Sequence, residues 1–278
     1  MAIGASVRVC RVCGASAASH STGRVVRGYS LVVCLNCGIL HVDQRPAPSE
    51  LKRIYERLFA EGEYEVHRRE FEFLKAGKRL PNFGRPRLLR RAARLVRGRR
   101  LIEIGGGTGK FGLHAKRHGW EYIDYDISEV AVEFSRRLGL DARTFVPTEL
   151  PPLESQSADL VVMWEVLEHL WNVKEYLDVV RAALRPGGAL LLSTPNYHVP
   201  VFRDRDDWGL LSSPPIHLTF FTHPTLKRTL HASGFTHTNV FFKRWYPPRN
   251  WHSRSGWTEA LRLALLLDEP DQLYAIAQ

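Results

Sequence analysis

The chain has 278 residues, 44 % of them hydrophobic, and a net charge of +10. That length can bury a full core and more than one structural unit. No run of about 18 apolar residues occurs, which speaks against a membrane span. The opening MAIGASVRVCRVCG has no basic region followed by an apolar one, so a signal peptide is not expected and the expected location is the cytosol.

In chain order, the cysteines come first. All four fall in two pairs, Cys10-Arg-Val-Cys13-Gly14 and Cys34-Leu-Asn-Cys37-Gly38. Two cysteines three apart, with a glycine that permits a tight turn, can aim both sulfurs at one ion. Two such knuckles complete a tetrahedron. Disulfides are disfavoured in a cytosolic chain, and two pairs without a thioredoxin-like context do not suit a redox motif. The expectation is a structural Zn2+ held by Cys10, Cys13, Cys34 and Cys37. With four thiolates it has no open position, so it folds the module and does not catalyse. Between the pairs, VVRGYSLVVC reads as a hairpin or strand. A Pro-Ala-Pro-Ser run then ends the ribbon, and Ser49 suits the N-cap of a helix starting near Glu50.

The next segment holds the positive charge. Residues 67–100 contain thirteen Lys/Arg and two Asp/Glu, and the chain on either side is close to balanced. Such a segment can attract nucleic acid, a phosphorylated substrate or an acidic carrier protein. It can equally be the solvated face of helices, because LLRRAARLVR spaces its apolar residues helically.

Residues 99–104 read as a short buried strand and 110–118 as a helix ending at Gly119. Between them lies EIGGGTGK, a strand-to-helix turn that brings backbone N–H groups close to a ligand. A phosphate-binding P-loop is excluded, because Ile104 stands where its first glycine belongs and Phe111 where its Ser/Thr belongs. A dinucleotide turn is present at Gly107–Gly112, with Asp124 or Asp126 about twenty residues on. A third form, acid-x-G-x-G-x-G, runs from Glu103 through Gly105, Gly107 and Gly109. A carboxylate beside the turn suits a cationic sulfonium better than a pyrophosphate.

Several segments together carry a resemblance. EIGGGTG resembles the first motif of class I S-adenosylmethionine (SAM) methyltransferases. YIDYDISE resembles their second strand, SADLVVMWEVLEHL the fourth strand and its exit, and LRPGGALLLSTPN the fifth. IHLTFFTHPTLKRTLHASGF resembles a segment of a bacterial small-molecule subgroup that often carries an N-terminal four-cysteine ribbon. The resemblance covers most of residues 10–240. It implies an α/β fold: a Rossmann-like seven-stranded methyltransferase sheet with helices on both faces, plus a small N-terminal zinc ribbon. It implies a SAM cofactor on Glu103, Gly105, Gly107, Gly109 and Asp126, with Ile127 flanking adenine and Trp164 beside the cofactor. The chain departs from the pattern after the third strand, where Val146 or Pro147 occupies an expected acidic position and Glu149 falls late.

For chemistry, two histidines are candidates. His169 ends Glu165-Val-Leu-Glu168-His169. On a helical turn Glu165, Glu168 and His169 would share a face and could hold a divalent ion; similar segments bind metal in some ubiquinone-pathway O-methyltransferases. His217 follows a Pro-Pro turn in SSPPIHLTFF, and either histidine could assist deprotonation. The insert YHVPVFRDRDDWGLLS and the tail FFKRWYPPRNWHSRSGW offer aromatics for an acceptor pocket, and DQLYAIAQ reads as a closing antiparallel strand.

The domains read as 1–45 zinc ribbon, 46–98 helical basic connector and 99–278 methyltransferase. The expected activity is methylation of a small molecule, a sugar or natural-product scaffold, on oxygen. The alternatives are an RNA 2′-O-methyltransferase, a non-enzymatic ribbon protein with a degenerate domain, and an NAD-dependent enzyme. The expected partner is a small-molecule acceptor, with a phosphorylated or carrier-bound substrate at 67–100 as a further option, no membrane, and nucleic acid not expected.

Overall fold

The computed structural model describes residues 7–47, 49–51, 53–54, 64–78, 85–146, 149–198, 213–242 and 272–278. The chain begins with four antiparallel strands, β1 (Val7–Val9), β2 (Ser16–Val26), β3 (Tyr29–Cys34) and β4 (Leu40–Val42). Arg27 and Gly28 join β2 to β3, both at positive φ (50° and 84°), the conformation that a two-residue hairpin turn demands. Residues 49–51 and 53–54 are helical, so the helix expected near Glu50 begins at Ser49 itself. Two helices follow, α1 (Tyr64–Lys75) and α2 (Arg85–Ala92).

The second sheet has seven strands. They are β5 (Arg100–Ile104), β6 (Glu121–Asp126), β7 (Asp141–Thr144), β8 (Ala158–Trp164), β9 (Leu184–Pro195), β11 (Thr238–Phe242) and β12 (Gln272–Ala277), in the order β11-β12-β9-β8-β5-β6-β7. Strands β5 to β9 pair in parallel, and β12 is antiparallel to both β9 and β11. The remaining helices are α3 (Lys110–Arg117), α4 (Glu129–Arg137), α5 (Val173–Ala183) and α6 (His223–Ala232). Ser128 caps α4 by accepting the Ala131 N–H at 3.3 Å.

Alternation along the strands sorts the core into two layers. Ile102, Ile104, Val161, Met163, Leu190 and Leu192 pack with α5 and α6 on one face. Leu101, Leu160, Val162, Leu191 and Ile276 pack with α2 and α3 on the other. Strand β8 is central and covered on both sides, so every residue of ADLVVMW is buried. The seven-stranded α/β expectation and the closing strand at the chain's end match this architecture.

The two sheets are not separate bodies. A short strand from far along the chain, β10 (Thr219–Phe220), pairs antiparallel with β4 and completes the first sheet. Val12, Ile39 and the buried Cys10, Cys34 and Cys37 share one apolar cluster with Met163, Leu177, Phe221 and Leu226 of the larger unit.

Candidate active site

Gly105, Gly107 and Gly109 all have positive φ (77°, 57° and 79°), which side-chain-bearing residues avoid. A Cβ on Gly106 would lie 2.5 Å from Asp124, and one on Gly109 2.6 Å from Leu140. A Cβ on Gly107 would meet nothing within 4 Å. The turn is thus pressed against protein on one side and open on the other, as a ligand cradle requires. Its N–H groups are fixed from β6: Gly106 donates to Asp124 Oδ1 and Gly107 to Asp126 Oδ2, each at 3.0 Å. Asp126 also accepts the Ser128 N–H at 2.8 Å. Ile127, the expected adenine neighbour, is 45 % exposed.

Acids accumulate at this edge. Glu103 and Asp124 sit directly opposite each other on β5 and β6. Burial pushes Glu103 up to about 7, although the Tyr122 hydroxyl donates to its Oε2 at 2.5 Å. Burial, then the charges of Glu103 and Asp126, push Asp124 up to about 9, and its Oδ2 has no hydrogen-bond partner among the described residues. Burial and the Glu168 charge push Glu165 up to about 8. Burial alone does the same to Glu168. A region that holds protons against its own repulsion favours a cation. SAM carries a sulfonium and an α-ammonium group, so these residues fit it.

The basic connector contributes residues that the sequence left unassigned. Glu70 of α1 accepts from the Thr108 hydroxyl and from Lys110 Nζ (2.9 Å), pinning α1 to the glycine turn. Phe71 beside it stacks on Phe134 at 4.8 Å. Arg85, at the start of α2, lowers Glu103 and Glu165 and lies 5.0 Å from the centre of the Trp164 ring. The available signal was that Glu70 is one of only two acids in a segment otherwise basic. Trp164 has more protein around it than its expected place beside a cofactor suggested: it is 4 % exposed and edge-on to Phe111 and Tyr274. Its buried indole N–H has no partner among the described residues. Val146 and Glu149 are exposed, whereas Pro147, residues 199–212 of the insert and residues 243–257 of the tail lie outside the described residues.

The second cluster joins two distant segments. Glu165 does not share a helical face with Glu168 and His169, because only Leu167–His169 forms a turn, and that a 3-10 one. Glu165 precedes it at φ 56° and turns aside to accept the Ser193 hydroxyl at 2.5 Å. His217 takes its place: one ligating atom each of Glu168, His169 and His217 lies within 4.8 Å of the others. His169 Nδ1 meets the Ile216 carbonyl at 3.0 Å. A carbonyl only accepts, so Nδ1 carries the proton and Nε2 presents the lone pair. Burial and the nearby His169 hold His217 well below the ordinary imidazole range, and its Nδ1 contacts the Tyr197 hydroxyl. The two histidines therefore differ: His169 is partly open, while His217 is 6 % exposed and stays neutral.

The four cysteines converge, none in a disulfide, with one Sγ from each within 4.8 Å of the rest. Their two knuckles are near copies. Cys10 donates to Ala15 O and Gly14 to Cys10 O; Cys34 donates to Ile39 O and Gly38 to Cys34 O. Gly14 and Gly38 have the same φ, 73°. Four sulfurs so arranged fit a tetrahedral ion with bonds of about 2.3 Å.

A model of the methyltransferase domain family matches residues 76–240. The chain belongs to that family. It is 37 % identical over 109 residues to a probable S-adenosylmethionine-dependent methyltransferase of Mycolicibacterium smegmatis, covering 38 % of this chain and 42 % of that one. It is 29 % identical over 105 residues to a ubiquinone biosynthesis O-methyltransferase of Hahella chejuensis, covering 36 % and 44 %. The chain spans less than half the length of these curated relatives. Among solved structures, a SAM-dependent methyltransferase from Mesorhizobium loti superposes with a TM-score of 0.52 at 24 % identity, covering 68 % of this chain and 95 % of that one. The [4+2]-cyclase SpnF does so at 0.53 and 19 %, covering 84 % and 97 %. These likenesses show the fold alone, and SpnF illustrates that the fold does not fix the reaction. The chain therefore carries the methyltransferase domain of that family. Among its described residues no helix is long and apolar enough to cross a membrane.

Proposed function

We propose that this methyltransferase acts on a hydroxyl of a small molecule, a sugar or natural-product scaffold, with His169 as general base. One observation carries the reading: Ile216 fixes the His169 tautomer so that Nε2 is the basic nitrogen at the carboxyl edge of the sheet. Bound SAM supplies an electrophilic methyl group. Glu103, the glycine turn and Asp126 would hold it, with Ile127 against the adenine. His169 takes the hydroxyl proton as the oxygen attacks. Glu168 Oε1, 3.9 Å from Nε2, faces the imidazolium that results. Methylation on oxygen is also the reaction in the name of the Hahella chejuensis relative.

The test is transfer of labelled methyl from SAM to a panel of catechols, sugar nucleotides, glycosylated phenols and single-stranded RNA. Transfer to a small hydroxylated acceptor, lost in His169→Ala, supports the reading. Transfer to RNA alone, or full turnover in His169→Ala, overturns it.

A second reading of the same cluster rests on Glu168 Oε1, which is fully buried without a hydrogen-bond partner among the described residues. A divalent ion on Glu168, His169 and His217 would satisfy it and acidify the acceptor hydroxyl. Turnover that survives exhaustive chelation separates the base reading from this one. At the other end of the chain, the ribbon cysteines are proposed to hold one structural Zn2+, checked by elemental analysis.

The exposed arginines of α2 and the residues after it lie at the opposite, amino edge. Arg90, Arg94 and Arg99 line a cavity of about 310 Å³ with His114, His118 and Trp120. A phosphorylated or carrier-bound substrate remains a proposal for this segment. Its anionic part would bind there, away from the reacting methyl.

A further inference from the structure

Arg11 is the first of the two residues between the paired cysteines of the first knuckle. Its side chain runs into the larger unit. Nη1 donates to the carbonyls of Leu170 (3.3 Å) and Trp171 (2.7 Å) and to the Thr219 hydroxyl (3.2 Å). Nη2 donates to the carbonyls of Leu218 (2.8 Å) and Val42 (3.5 Å). The guanidinium lies 4.1 Å from the centre of the Trp171 ring. Two of its acceptors have a specific place in the chain. Leu170 directly follows His169, and Leu218 directly follows His217.

Those two histidine segments also meet directly, with the His169 and His217 ring centres 4.6 Å apart. Leu218 N–H donates to the Glu168 carbonyl at 2.8 Å, and the His169 ring meets Ile216. Arg11 spans the same gap from behind. Its own backbone is anchored, because Lys174 N–H donates to the Arg11 carbonyl at 3.0 Å. The second knuckle is fastened as well, by Arg228 Nη1 on the Cys37 carbonyl at 2.6 Å. A planar fork with five N–H groups suits this task, and a lysine cannot reach both carbonyl pairs at once.

We propose that Arg11 is a positioning residue of the active site: the four-cysteine module holds its guanidinium so that it fixes the His169 and His217 segments against each other. The ribbon is on this account part of the catalytic architecture and not only a folding aid. The consequence for catalysis rests on the general-base reading of His169. The structural clamp can be measured without it.

The experiment uses full-length protein labelled with 15N on histidine, with no acceptor added. His169 and His217 signals are assigned with His169→Gln and His217→Gln. In the wild type, His169 shows a protonated Nδ1 and a bare Nε2. In Arg11→Ala, with SAM affinity and bound zinc unchanged, the clamp predicts a mixture of His169 tautomers, because the ring is no longer held to Ile216. With an acceptor from the panel, kcat falls about tenfold to hundredfold while KM for SAM stays within about twofold. Should Arg11→Ala not fold, Arg11→Lys carries the test, with the same change in tautomers expected. Wild-type tautomers in a folded Arg11 variant overturn the proposal. Full turnover in His169→Ala overturns the base reading instead and leaves the tautomer result standing.

Discussion

At the carboxyl edge of the seven-stranded sheet, Glu103, Asp124, Asp126, Glu165 and Glu168 gather in a largely buried region, while at the amino edge Arg90, Arg94, Arg99, His114 and His118 face an open cavity. The physics of the two edges differs. Exposed arginines are hydrated and screened by salt, and several spread over aromatic rings, as Arg99 does 5.1 Å from the centre of Trp120. The acids have lost their water and repel one another, so most keep protons that they would shed in solution. The net charge of +10 is therefore set away from the reacting centre, whose own demand is for a cation.

The sharpest break of this comparison is His169→Ala. Turnover should fall about 10²- to 10⁴-fold with SAM affinity unchanged, read by steady-state kinetics and calorimetry. Next, Gly106→Ala drives a methyl into Asp124, which anchors the turn. Overpacking of this kind costs about 1–3 kcal/mol, so SAM affinity should weaken about tenfold to hundredfold. Affinity that is untouched would place the cofactor elsewhere.

A smaller effect is expected from pH. Glu103, Asp124, Glu165 and Glu168 hold protons to about 7, 9, 8 and 8 when folded. Unfolded carboxyls release them near 4. Between those limits the folded chain binds more protons, so its unligated stability falls as pH rises. Cation binding removes that penalty. SAM affinity should rise about tenfold from pH 6 to 9, with proton release visible as a buffer-dependent heat of binding. A flat profile would mean the acids are not coupled to the ligand. The smallest effect belongs to the other edge. Arg90→Glu with Arg94→Glu should leave SAM affinity within about twofold while weakening retention on an anionic resin. A large loss would join the two edges that the structure keeps apart.

Much of the carboxyl edge was legible in the sequence, because a strand-to-helix turn is local. The glycines report backbone conformation, and Asp126 ends the next strand about twenty residues on. The two knuckles were legible for the same reason. What stayed hidden depends on contacts between distant segments. Glu70 and Arg85 look like surface charges until α1 and α2 are laid against the turn. The trio Glu168, His169 and His217 replaces the expected Glu165, Glu168 and His169, because helical spacing misleads where the backbone makes one 3-10 turn after a left-handed residue. Arg11 gave no signal, since a lone arginine between two cysteines is ordinary until its partners, some 160 to 210 positions later, are known.

The pairing of β4 with β10 bears on engineering. A chain truncated before residue 46 would expose the edge of β10 and the apolar residues that now cover Val12 and Ile39, inviting aggregation rather than yielding a minimal enzyme. Nor can the four-cysteine module be exchanged for another as a cassette. The graft would need to bring a compatible strand at 218–220 and an arginine of matching reach, so two stretches nearly 180 residues apart must be inherited together.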